Sequence, residues 1–139
     1  MRLSLSNSFI NKIIFNMNRT AFNLLRVGLA ITFAWIGYLV INNPAGWATF
    51  IQPWALQYMP ANVVGMMVLT GYLDIAAAIM MLIGPTVWIG ALIGAVHLLI
   101  VLITCGISDI TVRDVGLMFA FTALFVETMP SSIKAWIKI

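Results

Sequence analysis

The hydrophobic positions of this chain fall into four long runs, each of about the length that crosses the hydrocarbon core of a bilayer. The runs cover residues 20–41, 61–83, 86–105 and 110–129, and short polar or proline-containing breaks separate them. The polar–apolar alternation typical of lipid-facing strands is absent from the runs. The pattern therefore predicts an all-α membrane protein, a bundle of four transmembrane helices within residues 20–130.

Both ends of the chain differ from these runs. In residues 1–19, apolar side chains recur at helical spacing among Asn and Lys residues, which predicts an amphipathic helix lying on the membrane surface. A cleaved signal peptide is the alternative, but the interrupting Asn residues and the lack of a small-residue cleavage site argue against it. Residues 131–139 form a short basic tail.

The segment between the first two runs, residues 42–60, is uncharged and carries large apolar side chains near helical spacing: Trp47, Phe50, Ile51, Trp54 and Tyr58. Two interpretations stay open. The segment is either an aromatic belt that anchors the bundle in the outer headgroup layer, or a lid over an opening between the helices or a docking surface for a partner.

Composition agrees with a lipid environment and narrows the chemistry. Hydrophobic residues make up 63% of the chain and charged residues 8%, against about 25% charged in a soluble domain. We therefore expect the lipid bilayer, and no nucleic acid, as a partner. One Cys excludes an internal disulfide and a thiolate zinc site, and one His excludes haem held by two imidazoles. No metal site and no cofactor motif is predicted.

The basic residues predict the orientation. The loops at 42–60 and 106–112 hold no Lys or Arg, and basic residues collect on the cytoplasmic side of membrane proteins. The expected location is the cytoplasmic (inner) cell membrane, with both termini inside, because the flanking basic residues lie only before the first run and after the last: Arg2, Lys12, Arg19, Lys134 and Lys138.

Among the acidic residues, basic residues and His, those inside the first three runs are Arg26, Asp74 and His97, where each is costly unless paired or hydrated. Counting the helical rise places Asp74 about 15 Å and His97 about 18 Å from the turn at residues 84–85, level with each other near the bilayer midplane. The long side chain of Arg26 is expected to form an ion pair with Asp74, with His97 as a third member. Either the group only fixes the helix register, or it lines a polar pocket that holds a quinone head or another small polar ligand, or relays protons.

A second charged cluster marks the outer start of the fourth run. Ser108 or Asp109 is expected to cap the helix, and Asp109 is expected to pair with Arg113 at the i, i+4 spacing. Asp114 points elsewhere around the helix, and its simplest interpretation is an acid at the positive end of the helix dipole.

Four short motifs lie along residues 24–126: Arg26-x-Gly28-Leu29 with Phe33-x-Trp35-x-Gly37, Pro44 and Pro60 around the aromatic loop, Asp74 followed by Leu82-x-Gly84, and Arg113-Asp114. Together these motifs resemble the DoxX/DoxD-like family of small four-span membrane proteins. The chain departs from the family pattern at Tyr38, close to where a Lys is common, and at Asp74, where the acid is usually Glu.

The resemblance implies a membrane-embedded subunit of a quinone-linked redox complex, such as the membrane subunit of thiosulfate:quinone oxidoreductase. A quinone would then be the ligand of the Arg26, Asp74 and His97 pocket, and other membrane subunits would be partners. Because no flavin, haem or metal site can be assembled, the chain is not expected to be catalytic alone. The alternatives are a non-catalytic accessory subunit of a larger oxidase or monooxygenase and, favoured less by four short spans, a small transporter.

Overall fold

The structure is a computed structural model that describes residues 18–137, in which every regular element is helical. A 3₁₀ turn, Gly84–Thr86, joins the helices Val63–Leu82 and Val87–Cys105. The amphipathic helix predicted for residues 1–19 falls almost wholly outside the described residues. The helices are α1 (Arg19–Asn42), α2 (Pro44–Ala48), α3 (Pro53–Leu56), α4 (Val63–Leu82), α5 (Val87–Cys105), α6 (Val112–Thr128) and α7 (Ser131–Ile137).

Three stretches of the described chain are long and apolar enough to cross a membrane: Arg19–Asn42, Val63–Leu82 and Gly84–Cys105. A fourth is reached if α6 and α7 are taken as one span, whose axis bends by 108° at the break between them. The predicted class, an all-helical membrane protein with several spans, is confirmed at this level. The four long helices begin and end within two residues of the hydrophobic runs.

Asn residues at the breaks begin the helices. The side chain of Asn18 accepts a hydrogen bond from the backbone N–H of Thr20 at the start of α1. Asn43 caps α2 in the same way, and Asn62 accepts from Gly65 N–H, 2.8 Å away, at the start of α4. Each Asn therefore satisfies a backbone donor that the first helical turn leaves free.

The four long helices contribute to one apolar core. α1 packs along α4, α4 along α5, and α5 along α6, while α6 also contacts α1. Many large apolar side chains point outward instead, as expected where the solvent is lipid. The fully buried side chains are Phe33, Ala77, Met81, Val87, Ala91, Phe121 and Leu124.

Close backbone contact between helices depends on glycine. A Cβ atom built on Gly37 of α1 would lie 2.5 Å from the carbonyl oxygen of Gly71 in α4, and one built on Gly90 of α5 would lie 2.7 Å from the carbonyl oxygen of Ala77. Small residues at such crossings allow the dispersion contacts that hold membrane helices together. Gly28 and Gly116, which belong to the same small-residue pattern, face nothing within 4 Å.

Replacing Gly37 by Ala is therefore expected to push α1 away from α4 and to lower the free energy of unfolding by about 1–3 kcal/mol. The measurement is a denaturant titration of the purified protein in detergent, followed by circular dichroism. The control is Gly28→Ala in the same helix, which meets open space and should leave stability unchanged or slightly higher, because Ala favours helix. An equal change in the free energy of unfolding for the two substitutions would contradict the claim that α1 and α4 approach closely at Gly37.

Candidate functional site

Asp74 of α4 and His97 of α5 meet inside the protein. Nε2 of His97 lies 3.3 Å from Oδ1 of Asp74, and Asp74 is only 3% exposed. The two residues lie at one level, as counting back from the shared turn predicts. Oδ1 is buried, and no described residue meets it in hydrogen-bonding geometry. A buried acceptor without a hydrogen-bond donor marks a place where a ligand's donor would be stabilised.

Arg26 does not join this pair, so the expected Arg26–Asp74 ion pair is wrong. Within the described residues, the basic and acidic side chains that approach within 4 Å of each other are His97 with Asp74 and Arg113 with Asp114. The α1 residue that faces Asp74 is Gly37, where a built Cβ would lie 3.1 Å from the Cβ of Asp74. Arg26 lies about 16 Å away from Gly37 along α1, and its guanidinium carbon stands 5.7 Å from the ring centroid of Phe22.

A cavity of about 320 Å³ opens beside the Asp74–His97 pair and extends toward the start of α6. Asp114, only 7% exposed, lines the same cavity with its neighbour Arg113. These ionisable groups stand in walls that are mostly apolar and that also include Thr70, Thr104, Cys105 and Thr111. These walls include Phe33, Ile36, Val40, Met66, Met67, Leu73, Leu98, Ile100 and Val101.

The outer charged cluster is arranged differently from its prediction. Because α6 begins at Val112, Asp109 lies in the preceding turn, and Arg113 pairs with Asp114, at 3.6 Å between Nε and Oδ1, rather than with Asp109. Thr111 occupies the N-cap position. Its hydroxyl donates to the carbonyl of Gly106, and Ser108 Oγ accepts from the backbone N–H of Thr111, so these hydroxyls hold the turn before the helix.

The outer segment closes one side of the cavity. Trp47, Phe50 and Ile51 line it, whereas Trp54 and Tyr58 point away and are 46% and 80% exposed. Met59, near the end of the segment, lines the cavity as well. The exposed Trp54 and Tyr58 are side chains of the kind that a membrane anchor presents, and the lid and the anchor both stay predictions.

A single glutamine fastens this cover to the end of α5. The backbone N–H of Gln52 donates to the carbonyl of Thr104 at 3.0 Å, and its side-chain Nε2 donates to the carbonyl of Cys105 at 3.2 Å. Gly106 follows with a φ of 73°, and a Cβ there would collide with the Gln52 side chain. Gln52 was not among the predicted site residues, although it is a polar residue between Phe50 and Trp54 of the uncharged segment.

No protein family, curated protein or solved structure matches the chain. The resemblance to the DoxX/DoxD-like family accordingly remains an expectation that rests on the sequence motifs. Within residues 18–137, no group of three or more His, Cys, Asp or Glu side chains could hold a metal ion. Among the side chains that line the cavity, His97 and Arg113 can donate hydrogen bonds, and Asp74 and Asp114 can accept them.

Replacing Gln52 by Ala is expected to loosen the cover and to speed the reaction of Cys105, which lines the cavity, with a water-soluble maleimide. The substitution removes two side-chain hydrogen bonds, one to Cys105 and one from Trp54 Nε1, so the rate should rise about fivefold. The labelling reaction is quenched at set times, and the intact mass of the protein gives the labelled fraction. Because Cys105 is the chain's one cysteine, this fraction reports on that site alone.

The matched control is Gln57→Ala, the same change at an exposed position in the same segment. Its labelling rate should equal that of the unaltered protein. Equal acceleration by both substitutions, or by neither, would show that Gln52 does not hold the cover closed.

Proposed function

We propose that the chain is a four-span protein of the cytoplasmic membrane with both termini inside. The fourth span is α6, which is 17 residues long and shares the core of the three longer helices. In this orientation Arg19 and Lys134 lie on the cytoplasmic side, while the cover and the cavity lie toward the outside. The support is the confinement of flanking Lys and Arg residues to the two ends of the chain.

In a Cys105→Ser background, Asp109→Cys and Ser131→Cys are expected to react from opposite sides of the membrane. Both positions are exposed, one in the turn before α6 and one at the start of α7. An impermeant maleimide applied to intact cells should label Asp109→Cys, and should label Ser131→Cys only after permeabilisation. Labelling of both from outside would contradict four spans, and labelling of Ser131→Cys alone would reverse the orientation.

We infer that the cavity binds the ring of a quinone and that the protein is the membrane-embedded subunit of a redox complex. The observation that carries this proposal is the buried Asp74–His97 contact at the wall of a mostly apolar cavity. Asp74 Oδ1, which no described residue supplies with a hydrogen-bond donor, can accept a hydrogen bond from a hydroxyl of the reduced ring, the quinol. A volume of about 320 Å³ is at the lower end of small-molecule sites and suits a single flat ring. Apolar walls with a few polar groups are the usual form of such a site.

The residues of the cavity have distinct roles in this proposal. A bound quinone supplies reversible electron and proton uptake at its two ring oxygens. His97 and Asp74 hold or release a proton beside one ring oxygen, and Arg113 donates a hydrogen bond toward the other end of the cavity. The cover of Trp47, Phe50 and Ile51 excludes water. In this proposal a partner subunit holds the redox centre that exchanges electrons with the bound quinone.

Quinone binding by the purified protein tests the proposal. Titration with a benzoquinone that has no tail should quench the fluorescence of Trp47, which lines the cavity, and Trp47→Phe should remove the main part of that signal. Asp74→Asn and His97→Ala should each weaken binding about tenfold or more. His97→Ala removes the imidazole that donates to a ring oxygen, and Asp74→Asn removes the carboxylate that contacts this imidazole. Circular dichroism should show that both variants remain folded.

The matched control is Asp109→Asn, the same change at an exposed acid outside the cavity, which should bind as tightly as the unaltered chain. No saturable binding by the unaltered protein would contradict the quinone proposal. If the unaltered chain co-purifies with a larger membrane enzyme and Asp74→Asn abolishes this association without changing quinone binding, the chain is better described as an accessory subunit. No observation favours the small-transporter alternative.

A further inference from the structure

His97 borders two spaces at once. Besides the cavity, it lines a shallow groove of about 250 Å³ on the outside of the protein between α4 and α5. The groove is otherwise apolar, and much of it faces outward, with Val96 48% and Ile100 50% exposed. Its lining is Leu73, Leu92, Ile93, Val96, His97 and Ile100.

The cavity and the groove share a wall. Leu73, His97 and Ile100 line both of them, so at this point the wall is one side chain thick. From the level of His97 the groove continues past Val96 to Leu92. Its lining from Ile100 to Leu92 covers about 12 Å along α5. The Asp74–His97 pair therefore lies at the wall between the cavity and the lipid-facing groove.

The cavity itself has no room for a long chain. Its volume of about 320 Å³ suits a ring, and Trp47, Phe50 and Ile51 cover its outer side. A lipid-soluble ligand with its ring beside His97 must therefore send its tail through a wall. The wall formed by Leu73 and Ile100 is made of flexible aliphatic side chains, and the groove lies on its other side.

We propose that the groove between α4 and α5 holds the apolar tail of the ligand and that the ligand enters sideways from the bilayer. This inference rests on the quinone site proposed above and narrows its substrate to a membrane amphiphile, a polar ring with one long apolar chain. Water-soluble quinones are then poor substitutes for the natural ligand. The wall that it shares with the cavity, formed by Leu73, His97 and Ile100, distinguishes this groove from the rest of the lipid-facing surface.

Two quinone probes with the same ring, one without a tail and one with a decyl tail, test the groove. Leu92→Trp fills the groove away from the cavity, and is expected to weaken binding of the decyl quinone about tenfold while changing that of the tail-free quinone less than about twofold. The control is Leu69→Trp, the same change on the lipid-facing side of α4 at a residue that is 68% exposed, which should leave both affinities unchanged.

Photolabelling the unaltered protein provides a second measurement that needs no variant to fold. A decyl quinone with a diazirine at the tail end should label residues 92–96, and excess tail-free quinone should remove that labelling by displacing the ring. Labels spread over all lipid-facing sides of α5, or equal loss of both quinones in Leu92→Trp, would overturn the groove while leaving the ring site standing. No binding of either quinone to the unaltered protein would overturn both proposals.

Discussion

The contact between His97 and Asp74 is the constraint on which the rest of the site depends. Taking a carboxylate into an apolar interior is expensive, and a nearby imidazole lowers that cost only if the two helices keep a fixed register. The short turn at Gly84–Thr86 and the close approach of Gly90 to Ala77 set that register. On its other side, α4 is fixed by the crossing of Gly37 and Gly71. Glycine packing thus positions the ionisable pair.

The cavity follows from how the outer ends of the helices are held. Gln52 joins the cover to the end of α5, and the hydroxyl of Thr111 holds the turn that leads into α6. These contacts bring aromatic side chains over the space beside Asp74 and place Asp114 in its wall. The Asp74–His97 pair lines the cavity, and the lipid-facing groove lies beside it. This arrangement suits a ligand that is dissolved in the membrane.

Much of this arrangement could be predicted from the sequence where one element fixes the next. The helices follow from the apolar runs, and the level of Asp74 with His97 follows from the short turn between their helices. The predicted contact between Arg26 and Asp74 was wrong because the long segment 43–62 separates α1 from α4. Residue counting cannot fix the register of two helices so connected, and the packing of Gly37 on Gly71 sets it instead. Asp114 shares the inward face of α6 with Phe121, seven residues later. This spacing of two helical turns could have predicted from the sequence that Asp114 is buried.

The central claim is that an imidazole and a carboxylate meet within the membrane, and a distance measured in lipid tests it most directly. Solid-state NMR on protein reconstituted in bilayers, with ¹³C at the carboxyl of Asp74 and ¹⁵N in the ring of His97, reports their separation. The account predicts direct contact, consistent with the 3.3 Å between Nε2 and Oδ1, and a change in the coupling when a quinone is added. A separation too long for contact, unaffected by any quinone, would contradict it.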